Sequence, residues 1–126
     1  MSVKAKRPVY LDLLRIRLPI TAKASILHRI SGVLLFLSIP FFIYLLDLSL
    51  SGPQGYASAK AMLGSGLVTF ILFFVLWAFL YHLLAGIRFL LIDAHVGVEI
   101  EKARQSAKVV MIAAVVATVI LGLIIL

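Results

Sequence analysis

The sequence contains no cysteine. Structural disulfides, thiolate nucleophiles and cysteine-ligated iron–sulfur clusters are therefore excluded from this chain, while the redox compartment is left open. Charge is scarce as well: 13% of the 126 residues are charged, about half the share usual in soluble domains. No paired acids and no nucleophile–base arrangement appear, so an active site within this chain is not expected. Internal repeats, a GxxxG pair and a phosphate-binding glycine loop are also missing. What fills the chain instead is apolar, 63% of all residues. A single globular domain of this length could not bury that much apolar surface, so residues 1–126 read as one domain whose solvent is lipid.

The net charge of +7 is concentrated rather than spread. Residues 1–29 hold Lys4, Lys6, Arg7, Arg15, Arg17, Lys23 and Arg29 against the single acid Asp12. This segment does not have the proportions of a signal peptide, since its charged region and the apolar run behind it are both too long. Leu11, Leu13, Leu14, Ile16 and Leu18 interleave with the charges, a pattern suited to lying on headgroups or under a soluble partner. Pro8 and Pro19 bracket the segment against one continuous helix. Residues 1–26 therefore read as interfacial, with Thr21 as the expected N-cap of the helix that follows.

Three apolar runs come next, at about residues 27–50, 66–92 and 107–126, each near the ~20 residues that cross the hydrocarbon core. Pro40 lies inside the first and is expected to bend it. Between the first two, a Gly-Pro-Gln-Gly turn at 52–55 precedes a short surface helix at 56–63. With three spans, the N-terminus and the second loop share a side, and that side holds eleven of the twelve Lys and Arg, all but Lys60. The positive-inside rule then places the N-terminus in the cytoplasm and the C-terminus in the periplasm. It also accounts for the basic composition without nucleic acid, for which no aromatic–basic surface is present. The expected fold is an all-α membrane protein with three transmembrane helices.

Two clusters carry candidate chemistry. Ser25, His28, Arg29 and Gly32, from the stretch SILHRISG, share a helix face at the mouth of the first span. Their hydroxyl, imidazole and guanidinium suit a quinone carbonyl, a lipid phosphate or a haem propionate, or Arg29 simply snorkels. The second is Tyr81–Asp93, YHLLAGIRFLLID. His82 lies eleven residues before Asp93, about 16 Å from that end of the helix at 1.5 Å per residue. An ionisable group at such depth marks function, and a neutral imidazole suits haem iron; an interhelical hydrogen bond is the alternative. Gly86, one turn on, admits a flat macrocycle or another helix, and Arg88 can reach propionates or snorkel. The same rise places His82 more than ten ångströms deeper than His28, so a bis-histidine site would need a ligand from another chain. His95 reads as a solvated loop residue. Trp77 is expected to pack on a partner helix, and Asp47 to sit at the outer boundary.

SILHRISG combined with the His82–Gly86–Ile87–Arg88–Asp93 pattern, together with RPVYLDL near the N-terminus, the Ser51–Gly55 loop and RQSAK at 104–108, resembles the cytochrome b subunit of bacterial succinate dehydrogenase, respiratory complex II, over nearly the whole chain. The resemblance implies a multi-pass subunit of the bacterial inner membrane that shares one haem b with a second small hydrophobic anchor. It also implies docking to a flavoprotein subunit and an iron–sulfur subunit, with ubiquinone as substrate. It implies His82 as this chain's axial ligand to the haem iron, His28 and Arg29 near the propionates, and Ser25, Ile26 and Arg29 at the ubiquinone site. Succinate oxidation would occur on the flavoprotein. One departure stands out: Phe89 occupies a position where similar proteins often carry a second histidine. A fumarate reductase anchor has the same architecture run in the opposite direction. A haem-free small transporter or scaffold is the reading from a different class.

Overall fold

The computed structural model describes residues 18–126. The expectations for residues 1–17, including RPVYLDL, the first five basic residues and the interleaved leucines up to Ile16, lie outside the described residues. Four helices follow in order: α1 (Ile20–Leu50), α2 (Pro53–Leu63), α3 (Gly66–Asp93) and α4 (Ile100–Ile125). No strand occurs among the described residues. α1, α3 and α4 are each long and apolar enough to cross a membrane. Their 31, 28 and 26 residues span roughly 46, 42 and 39 Å at 1.5 Å per residue, against a hydrocarbon core of about 30 Å.

The helices run past the apolar sequence at one end. α1 begins at Ile20, with Pro19 in the cap position (φ −63°, ψ 157°) and no side-chain cap. The Pro19 carbonyl accepts from the Lys23 amide at 3.0 Å, so the first turn closes without Thr21, which lies inside it. The expectation of a Thr21 cap is corrected accordingly: Pro19 disfavours helical backbone at Leu18 and sets the boundary there. α4 likewise starts at Ile100, and its first two turns are the polar stretch IEKARQS.

The α1–α2 connection is tighter than a four-residue turn. Gly52 has φ 129° and ψ −179°, and Pro53 is already helical. That backbone region is essentially restricted to glycine, and proline at the first helical position loses no hydrogen bond. α3 starts at Ser65, whose side chain accepts from the Val68 amide at 3.3 Å. It ends in a Schellman turn: the Val96 amide reaches the Leu91 carbonyl at 2.8 Å and the His95 amide reaches that of Ile92 at 2.9 Å. His95 takes the left-handed position usually held by glycine, φ 62°, and it is exposed.

α3 packs against both α1 and α4, and α2 rests against the far end of α1. The contacts are made by small residues. Ala107, Ala114, Thr118 and Gly122 form the buried stripe of α4, and a Cβ at Gly122 would run into the Phe73 ring of α3. Close approach through small side chains is how helices associate where lipid removes the hydrophobic driving force. The outer faces, with Phe36, Leu37, Ile43, Leu67 and Leu123 exposed, suit acyl chains or other membrane helices rather than water.

Candidate functional site: a histidine pair between α1 and α3

The site lies toward the end of the bundle that carries Pro19 and the α3–α4 loop, called here the basic end. Two contacts set the register of α1 against α3. The fully buried Tyr81 donates its hydroxyl to the Ala24 carbonyl at 2.6 Å. Gly32 then lies against His82, close enough that a Cβ there would come within 3.1 Å of the imidazole Cε1.

The same register brings the two histidines together. Their rings stack at a centroid distance of 4.0 Å and an interplanar angle of 9°. This corrects the expected offset of more than ten ångströms in depth. The sequence reading measured the depth of His28 from the start of the apolar run at about Leu27, whereas the helix starts at Ile20. His28 is therefore eight residues, about 12 Å, inside its helix, comparable with the depth of His82 in α3. The packing is reciprocal: His82 sits over Gly32, and the Nε2 atom of His28 lies 3.7 Å from where a Cβ of Gly86 would stand. A Cβ at Gly86 would thus be in ordinary contact with His28, and Phe89 meets the same ring edge-on at 5.2 Å.

The hydrogen bonds at His82 fix its tautomer. Nδ1 lies 3.1 Å from the His28 carbonyl and 3.0 Å from Ser31 Oγ. Ser31 spends its own proton on that carbonyl at 2.8 Å. A carbonyl only accepts, so Nδ1 carries the hydrogen and shares it between two oxygens. The Nε2 lone pair is left over and has no hydrogen-bond partner among the described residues. Ser31 is completely buried. Sequence reasoning passed over it, although a serine three residues after His28 and next to a glycine is placed for a bond back to the i−3 carbonyl.

The other candidates fall around this pair. Ser25 and Ile26 are half-buried on α1, one turn nearer the basic end, and Arg29 is exposed beside His28. Asp47 is exposed near the opposite end of α1, and Lys60 is exposed on α2. Trp77 stacks on Tyr81 at 5.5 Å within the same helix and packs on the core cluster of Tyr81, Ala85 and Ala114. Among the described residues no group of three or more His, Asp or Glu could hold a bare metal ion.

Arg88 is 6% exposed and clamps α3 to α4. Its Nε donates to Ser106 Oγ at 2.9 Å and its Nη2 to the Ala103 carbonyl at 3.0 Å. Replacing Arg88 with Leu removes both charge-assisted bonds, each worth about 1.5–3 kcal/mol, and relieves part of the cost of burying the guanidinium. A net loss of about 2 kcal/mol is expected, read as a lower Tm of the complex in detergent followed by circular dichroism. An unchanged Tm would mean that desolvation cancels the two bonds.

Residues 3–121 match the family model described as succinate dehydrogenase/fumarate reductase transmembrane subunit. The chain is 37% identical over 121 residues to the succinate dehydrogenase cytochrome b556 subunit of Coxiella burnetii (strain RSA 493 / Nine Mile phase I), covering 95% of this chain and 97% of that protein. It is 37% identical over 117 residues to the succinate dehydrogenase cytochrome b556 subunit of Paracoccus denitrificans, covering 93% and 90%. A third relative is the succinate dehydrogenase cytochrome b560 subunit of Reclinomonas americana, 37% identical over 106 residues, covering 80% and 74%. The chain therefore belongs to the succinate dehydrogenase/fumarate reductase transmembrane subunit family, as a membrane-anchor cytochrome b subunit of succinate dehydrogenase.

Proposed function

We propose that this subunit holds one side of a haem b through His82 and forms part of the site where ubiquinone is reduced. The observation that carries the reading is the pair of oxygens at His82 Nδ1, Ser31 Oγ at 3.0 Å and the His28 carbonyl at 3.1 Å, which calls for a proton on Nδ1 and leaves Nε2 its lone pair. Metal-ligating histidines use this arrangement, one ring nitrogen on iron and the other donating to a carbonyl. A porphyrin brings four nitrogens of its own, so the residues fit a haem, which asks only axial ligands of the protein. When bound, the haem supplies a one-electron redox centre.

His28 and His82 stack face to face at 4.0 Å, so they could not hold one iron from opposite sides, and a second ligand would be supplied by the second small hydrophobic anchor subunit. His28 and Arg29 would hold the propionates. Ser25, Ile26 and Arg29 line the quinone site nearer the basic end, against the iron–sulfur subunit. There the Ser25 hydroxyl donates to a quinone carbonyl, and the Arg29 guanidinium stabilises the negative charge that develops on its oxygen as electrons arrive.

The basic end faces the cytoplasm of a bacterial inner membrane by the positive-inside rule, with 1–26 interfacial and α1, α3 and α4 crossing. Succinate is oxidised on the flavoprotein, and this chain anchors the path from the iron–sulfur subunit to the quinone. Purification of the chain from its native membrane tests the reading. A flavoprotein, an iron–sulfur protein and a second small anchor are expected with it, together with a b-type absorption spectrum that reduces on addition of dithionite. A haem-free preparation retaining all four chains would overturn the haem assignment while leaving the anchor role intact.

A further inference from the structure

We propose that Ser31 is a positioning residue that tunes the iron ligated by His82, an inference that rests on the haem reading above. Ser31 is fully buried, and its hydroxyl serves two groups at once. It donates to the His28 carbonyl at 2.8 Å and accepts from His82 Nδ1–H at 3.0 Å, while that same Nδ1–H also points at the carbonyl, 3.1 Å away. The three atoms form a closed triangle inside the α1–α3 interface.

The triangle has two consequences for Nε2. It locks the ring rotation, because the ring also lies close against Gly32, where an added Cβ would come within 3.1 Å of Cε1. It also withdraws the Nδ1 proton toward two acceptors rather than one, which makes Nε2 a stronger electron donor. A stronger donor favours ferric over ferrous iron, so the hydroxyl holds the midpoint potential down. Losing one of the two acceptors is expected to weaken that preference about tenfold, the low end of what second-shell changes do at metal sites. For a one-electron couple this is a rise of about 59 mV.

The test compares Ser31→Thr, Ser31→Val and Ser31→Ala in the assembled, haem-loaded complex. Thr and Val have nearly the same shape and differ in the hydroxyl. Ala only removes an atom and leaves the packing free of added bulk. Midpoint potential and the low-spin ferric electron paramagnetic resonance spectrum are the readouts, since a merely structural role would move neither selectively. Wild type and Thr are expected to agree, with Val and Ala shifted upward in potential and altered in g values. Loss of haem from Val and Ala but not from Thr supports the same role. Ala unchanged from wild type, or Thr and Val shifted alike, overturns it. His82→Ala in the same series separates the two claims. If that variant keeps its haem, the ligand reading itself has failed; if it loses haem while Ala matches wild type, only the role of Ser31 has failed.

Discussion

His82→Ala is expected to abolish the b-type absorption of the purified complex while leaving the four-helix subunit folded. The fold should survive because the partners of the imidazole also satisfy one another. Ser31 keeps its bond to the His28 carbonyl at 2.8 Å, and Tyr81 keeps its anchor on Ala24. What is lost is a half-buried ring and its stacking on His28, a cost of about 1–3 kcal/mol on the scale of small cavity-forming changes. Free imidazole is small enough to enter the vacated space over Gly32, so millimolar imidazole is expected to restore part of the spectrum. The paired control is His28→Ala. The group that holds Nδ1 is the backbone carbonyl of residue 28, which any side chain retains, so this variant should keep the haem. An unaltered spectrum in His82→Ala, or loss of haem from His28→Ala alone, would move the ligand to the other histidine.

Arg29→Leu is expected to lower succinate-driven quinone reduction about 100-fold, the range found when one donor to a developing oxyanion is removed. Succinate oxidation with an artificial acceptor that takes electrons upstream should be nearly unchanged. The split between the two assays is the informative quantity. Arg29 is exposed on α1, so its removal costs the helix little, and a stability defect would depress both rates together. Equal loss in both assays would assign Arg29 to assembly or topology rather than to quinone chemistry. Arg88 serves as a contrast, because a guanidinium bonded to Ser106 and the Ala103 carbonyl should affect both assays through stability alone.

The number of long helices, their order and the family were legible in the sequence, because each follows from local quantities. Apolar runs near twenty residues mark spans, a Gly-Pro pair marks the α1–α2 turn, and the two histidine-bearing stretches carry the resemblance. Helix ends were less legible. Backbone hydrogen bonding continues through polar residues as readily as apolar ones, so α1 begins at Ile20, ahead of its apolar run, and α4 at Ile100, ahead of the apolar run from about 107.

Measuring depth from the apolar run rather than from the helix start is what hid the arrangement of the site. Sequence alone established that His82 lies deep in an apolar helix, that SILHRISG belongs to the first part of another, and that the basic residues cluster on one side. Tertiary structure decided that the two histidines lie at one level and stack, that Ser31 rather than a charged group steadies His82, and that Arg88 belongs to the α3–α4 clamp. The physical reason is register. Spacing along a chain determines which face and depth a residue has within its own helix. How two helices slide against each other is set by side chains packing across the interface, here Tyr81 on the Ala24 carbonyl and His82 over Gly32, and no single helix contains that information.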